Sequence, residues 1–329
     1  SSIKYNAPRD YTAQDRAVTA EDYKVLVKSL YANAQAVQVY GGEDAETPDY
    51  GKVYISIKAK SGSNLTVATK ESIVTSLKQY AVASVTPVII DPETTYITLV
   101  VNFKYNSGIT TKDVTTLQTN VLSKVATYNN NTLEDFTGMF RYSQLIEDIN
   151  GADTSILSNI TTVKMYKYFT PTLNSGLKYT LSFNNALYNP HSGHNASAGG
   201  IISSTGFKIN DDSSASEHFL DDDGEGNLRA YYLSGTTRIY TDSTFGTVNY
   251  TTGEVVLTSA HLTSISNVDG ATSTRVRVFV IPSSNDIVPV RNQVLSIDTS
   301  NSTITGEVDA IVSGSSQAGT SYTTTSSYS

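Results

Sequence analysis

Between Thr19 and Ala34 apolar side chains return every three or four positions, at Tyr23, Leu26, Leu30 and Ala34, which predicts a helix with one buried face. Thr19 stands three residues before Asp22, the spacing at which side-chain oxygens satisfy the free amides of a first turn. The period then drops to two. In KVYISIKAK, Val53, Ile55, Ile57 and Ala59 alternate with Tyr54, Ser56, Lys58 and Lys60, the pattern of a strand with one buried and one wet face. Helical spacing returns with Ile73, Leu77, Tyr80 and Ala81. A short apolar strand, a Pro-marked turn and a long strand follow, the last with Ile97, Leu99, Val101, Phe103 and Tyr105 on one face. Two more helices are expected, one with Val114, Leu117, Val121 and Val125 in line and a shorter one from Tyr142 to Ile149, before the strand TTVKMYKYF. Strands separated by helices that can cover one sheet face predict an α+β fold that begins with α/β layers of the split βαβ kind.

After Phe169 the helical period disappears. TPTLNSGLK reads as a linker, and short strand candidates then recur between turn clusters: Tyr179–Phe183, Leu228–Leu233, Arg238–Thr241, Thr247–Tyr250, Glu254–Thr258 and Val276–Ile281. In VNYTTGEVVL, Thr251-Thr252-Gly253 suits a three-residue hairpin with a left-handed glycine. The expected organisation is an N-terminal arm (1–15), an α+β domain (16–170), a linker (171–176), an all-β domain (177–312) and a tail (313–329). The tail has no branched aliphatic residue to bury, so we expect it to be held by a neighbouring copy.

Composition narrows the function. A formal net charge of −8 with no compensating basic cluster argues against a nucleic-acid partner. The absence of cysteine removes disulfides, thiolate metal sites and thiol nucleophiles. No run of about 18 apolar residues is present, so no membrane partner is expected. The start SSIKYNAPRD lacks an initiator Met and reads as part of a longer protein. Twenty-two tyrosines beside no tryptophan give many rigid side chains with a polar tip, a composition that suits surfaces made to touch other protein.

The densest chemistry is DDDGEGN, Asp221–Asn227. With Gly224 at the sixth place of a calcium loop, Asp221 and Asp223 fall on the third and fifth, but Phe219 and Ala230 occupy the first and twelfth, where oxygen ligands are required. The expected reading is a solvated hairpin turn between EHFL and LRAYYL. Asp211, Asp212 and Asp221–Asp223 supply carboxylates for a glycosidase-like pair, but nothing in the sequence sets two of them apart as acid and base. His191 and His194 form an H-x-x-H pair for which His218 and His261 have no matching spacing. No catalytic, metal-binding or cofactor-binding residue is therefore assigned, no cofactor is expected, and interface residues stay unassigned.

The strings RAVTAEDYKVLV (Arg16–Val27), GKVYISIKAKSG, IVTSLKQYAVASVTPVIIDPETTYITLVVNFKY and FRYSQLIEDINGADTSILSNITTVKMYKYF, in this order, resemble the baseplate wedge proteins of T-even-type contractile-tailed bacteriophages in their C-terminal portion, within the baseplate J-like family. The likeness runs from Arg16 to Phe169, about half the chain. It implies a J-like α+β domain followed by a β-rich extension, no catalytic residues, and a place in the virion tail baseplate after assembly in the host cytoplasm. It also implies self-association as a homodimer and a ring around the central hub, contacts with other wedge and hub proteins, and rearrangement when the sheath contracts. The other reading open to the residues is a host-surface or glycan-binding β module, since tyrosines and Asn/Asp loops on strands also suit sugars; a carboxylate hydrolase is the third.

Overall fold

The computed structural model describes residues 16–45, 47–60, 64–194, 200–212, 214, 216–268 and 270–312. The expected arm (1–15) and tail (313–329) lie outside these. The fold is α+β, with a small N-terminal α/β region and a β-rich remainder, and it divides into two compact units.

The first unit holds the described residues up to Thr94 with Thr132–Met139 and Val288–Ser296. Helix α1 (Ala20–Leu30) opens with a full capping box: the Asp22 amide donates to Thr19 Oγ1 at 3.3 Å and the Thr19 amide to Asp22 Oδ2 at 2.8 Å. Strand β1 (Ala34–Gly41) runs antiparallel to β2 (Lys52–Ala59), and β2 continues through α2 (Val67–Leu77) into the parallel strand β3 (Thr86–Ile90), a βαβ unit. Tyr23 and Val27 of α1, Ile73 and Leu77 of α2, and Val37, Val39, Ile55 and Ile57 of the strands make one core. The expected helical face shifts at its end: Leu30 is exposed, and Ala34 belongs to β1, a strand the helical spacing had run into.

The second unit is built on β4 (Glu93–Tyr105) and β5 (Ile156–Phe169), long antiparallel neighbours. Helices α3 (Val114–Tyr128) and α4 (Tyr142–Asn150) contribute Leu117, Val121, Val125, Leu145 and Ile149 to the buried side, which also takes Ile97, Leu99, Val101 and Phe103 of β4 and Val163 and Met165 of β5. Strands from the second half of the chain join this sheet. β13 (Val276–Val280) pairs with β5, β7 (Ser203–Ser204) with β13, and β15 (Thr303–Val308) lies parallel to β4. Gly306 of β15 is required by closeness: a Cβ there would sit 2.5 Å from Phe103 Cζ and 2.9 Å from Val114 Cγ2.

The remaining strands make the barrel-like sheet. β11 (Thr237–Asn249), β10 (Asn227–Ser234), β9 (His218–Asp222), β8 (Phe207–Ile209) and β12 (Glu254–Ile265) are neighbours in that order, and β12 pairs back onto β11, so the five close on themselves. β6 (Gly176–Ser182) flanks β12. Closure gives each of the five a strand neighbour on both sides, and in a chain without disulfides packing and hydrogen bonds hold the ring. Between β5 and β6, the Thr172 amide donates to Tyr179 Oη at 2.8 Å and the Phe169 and Tyr179 rings lie 4.7 Å apart.

Two expectations for this region change. Arg238–Thr241 and Thr247–Tyr250 are parts of one strand, β11, because an irregular register against β10 carries the chain through the polar stretch between them. The hairpin to β12 pairs Asn249 with Glu254 and so has four loop residues; Gly253 is left-handed (φ 74°), and its amide reaches back to the Asn249 carbonyl at 2.9 Å.

Candidate functional site

The stretch Asp221–Asn227 is a hairpin turn, but only its tip has a turn's environment. Asp223 Oδ1 accepts from the amides of Glu225 (2.8 Å) and Asn227 (3.0 Å), and Oδ2 from Asn227 Nδ2 (2.6 Å), while Gly224 and Gly226 take positive φ. Partial burial pushes the Asp223 carboxyl up, and these hydrogen bonds outweigh it, so the group lies below its ordinary value.

Asp221 and Asp222 correct the solvated reading: both belong to β9 and both are fully buried. Successive strand residues face opposite ways, so each enters a different network. Asp221 accepts from Arg229 Nε (2.9 Å), Arg238 Nη1 (2.7 Å) and Tyr240 Oη (2.9 Å). Arg229 also lies over the Tyr240 ring at 4.3 Å and Arg238 over the Tyr231 ring at 4.6 Å, while Phe219 and Tyr231 are 5.9 Å apart. Cross-strand register explains the cluster, because Asp221 stands opposite Arg229, Phe219 opposite Tyr231, and Tyr231 opposite Tyr240. Asp222 accepts from the Ile202 amide (2.9 Å) and from Tyr250 Oη (2.7 Å); burial first, then this carboxylate, raise the Tyr250 hydroxyl above its ordinary value. Such commitments tie strands and loops together.

Of the other candidates, His218 Nε2 and Asp212 Oδ2 lie 4.0 Å apart, and His191 and His194 form a pair. Asp211 is exposed, and Asp212 accepts from the amides of Ser214 and Ser216, which hold its carboxyl below the ordinary range. His191 and His194 stand edge to face, with His194 Nδ1 3.2 Å from His191 Nε2. His218 is buried in β9 between the Ser216 carbonyl (2.9 Å) and Thr241 Oγ1 (2.8 Å), and His261 lies in β12. Among the described residues no group of three or more His, Asp or Glu is arranged to hold a metal ion.

A second aromatic cluster, which the sequence reading did not single out, lies on β4, β5 and β13. Tyr96 stacks on Tyr166 (4.9 Å) and Tyr168 (5.8 Å), and Tyr166 meets Phe279 at 5.1 Å. Arg275 lies over Tyr168 at 4.2 Å and Arg277 over Tyr166 at 5.7 Å. Tyr166 Oη donates to Asp298 Oδ2 at 2.6 Å; burial and then this bond raise its hydroxyl above the ordinary value. The Tyr96 hydroxyl is pushed up to about 12 by burial and by Tyr168. The signal in the sequence was the alternation MYKYF and RVRVF, which sets Tyr166 with Tyr168 and Arg275 with Arg277 on single faces once strands are assumed.

Known proteins match the first half of the chain. Residues 19–90 fit the family model of the baseplate structural protein gp6, C-terminal domain I, and residues 93–168 that of its C-terminal domain III. The baseplate wedge protein gp6 of Enterobacteria phage T4 is 31% identical over 170 residues, 50% of this chain and 25% of that protein. The chain thus spans about a quarter of the length of that relative. In a cryo-EM structure of the anti-feeding prophage baseplate, one chain is 15% identical with a TM-score of 0.35, over 49% of this chain and 36% of that one. The border between the two matched domains falls at Asp91-Pro92, where β3 ends and β4 begins. The first half resembles the C-terminal part of the baseplate wedge proteins, as its motif order implied.

Proposed function

We propose that this chain is the C-terminal part of a structural wedge subunit in the baseplate of a contractile tail, and that it acts in the virion by extended protein contacts, not by catalysis. The observation that carries the reading is the pair of consecutive matches to two C-terminal domains of one baseplate protein, in order, over the α/β region. The tyrosine clusters support it, since tyrosine and arginine are favoured where protein meets protein. In finer detail, copies pair as homodimers and join into a ring around the central hub, contact other wedge and hub proteins, and rearrange when the sheath contracts. A self-contact of this kind buries well over about 1,000 Å². Electron cryo-microscopy of assembled tails before and after contraction tests the proposal: density for residues 19–168 is expected in the baseplate, with paired copies. Tails that assemble fully and contract without this chain overturn it.

A further inference from the structure

The sheet of β4, β5, β13 and β15 has one side built into the core and another that is open over much of its length. Residues paired across a sheet share a face, and the register places Tyr96 beside Tyr166, Thr98 beside Lys164, Val100 beside Thr162, Asn102 beside Ile160, and Lys104 beside Ser158. Arg277 stands beside Tyr168 and Phe279 beside Tyr166, so Arg275, two residues on, completes the row. Thr303, Thr305 and Glu307 of β15 adjoin Val100, Asn102 and Lys104.

Three features of this face point outward. Ile160 is 74% exposed and Val100 38%, apolar side chains on neighbouring strands left open among the described residues. The charges are mostly of one sign, with Lys104, Lys164, Arg275 and Arg277 against Glu307, on a chain whose formal net charge is −8. Asp298, half-buried at the rim, is already bonded to Tyr166, Ser300 and Asn301. The third feature is Arg275. Both arginines of the barrel cluster are spent on Asp221, whereas the exposed Arg275 guanidinium has the Tyr168 ring and no carboxylate within ion-pair distance among the described residues. A guanidinium held flat on a ring has its orientation fixed in advance and its N–H donors in a plane that suits a carboxylate.

We propose that this face is a docking surface for an acidic, extended segment of another protein of the particle, whose carboxylates reach Arg275 and Lys164 and whose apolar side chains cover Ile160 and Val100. The proposal rests on the structural reading above and names the chemistry of one partner. From Ile160 to Tyr168 the strand runs about 26 Å at about 3.3 Å per residue, so the segment needs roughly eight extended residues. The charge complementarity comes from this face alone, against the sign of the chain as a whole, which selects acidic protein.

The test is fluorescence anisotropy of the full chain with three labelled probes at low salt: a peptide of about ten residues alternating Glu and Val, the same peptide with Lys for Glu, and a single-stranded oligonucleotide of similar length. The Glu peptide is expected to bind most tightly and to be released by salt. The double variant Arg275→Glu, Lys164→Glu should weaken it by about tenfold or more, while Lys124→Glu on the exposed side of α3 leaves it unchanged. Equal binding of the two peptides, tighter binding of the oligonucleotide, or a double variant that binds like the parent overturns the docking surface. Circular dichroism melts of the variants, expected to match the parent because both side chains point outward, separate lost binding from lost fold. A chain that enters purified tails but fails these probes sinks the docking surface alone; a chain that binds the Glu peptide yet is missing from tails sinks the wedge reading instead.

Discussion

Asp221 shows what a buried charge does in this protein. Taking a carboxylate out of water costs several kcal/mol, and here two guanidinium groups and a tyrosine hydroxyl replace the lost water at 2.7–2.9 Å. The arrangement is therefore asymmetric: intact it is close to neutral in energy, but removing the anion takes a carboxylate from the buried Arg229, whose bond to the Asp222 carbonyl remains. Asp221→Ala should lower stability by about 3 kcal/mol in urea denaturation followed by circular dichroism, whereas Asp211→Asn, on an exposed carboxylate, should change it by less than about 0.5 kcal/mol. A loss below about 1 kcal/mol for Asp221→Ala would mean that water already reaches the cluster. None of this was legible in DDDGEGN itself. Asp221, Asp222 and Asp223 are chemically identical in the sequence, and only the start of the strand at His218 decides which carboxylate faces the arginines, which faces the Ile202 amide, and which caps the turn.

At the scale of elements, local signals were legible where they agreed with one another. Helix α1 had both an apolar stripe and a capping pair and starts where its cap placed it, and β2 and β4, with strict alternation, form where the pattern placed them. β1 was missed because Ala34 extends the helical spacing of Tyr23, Leu26 and Leu30 by one more step, so the period of two was absorbed by the preceding period of about four. β14 (Gln293–Ile297) and β15 were missed because five- and six-residue strands in a Ser/Thr/Asn-rich chain carry little pattern of their own. β15 is specified instead by what it packs on, and Gly306 exposes this dependence. Gly306→Ala would drive a methyl group into the Phe103 ring and Val114, at an overpacking cost of about 1–3 kcal/mol. Hydrogen exchange should then speed up in Thr303–Val308 and in the facing residues Val100–Tyr105, with the barrel strands unaffected. Exchange that is unchanged in both strands would show that α3 yields to the added methyl.

For the whole molecule, the decisive contacts are those that return late strands to early ones. The likeness to known domains stops at residue 168, yet β5 has β13 along Met165–Phe169, and β4 has β15 along Val100–Tyr105. Val276, Val278 and Val280 are fully buried, so β13 supplies core as well as hydrogen bonds. No period in the sequence announces such pairing, because it joins residues more than a hundred positions apart. A chain cut after Thr170 would keep β4 and β5 but open both of their outer edges, two rows of unpaired amides and carbonyls beside apolar side chains. We therefore expect residues 1–170 alone to scatter light and elute as large aggregates from a sizing column, with no cooperative thermal transition by circular dichroism. Extending the same fragment to Val308 should restore the transition, since β13 and β15 are then present. A well-behaved 1–170 monomer with a sharp melt would mean that the early strands hold their own edges, and that the later strands decorate a finished domain.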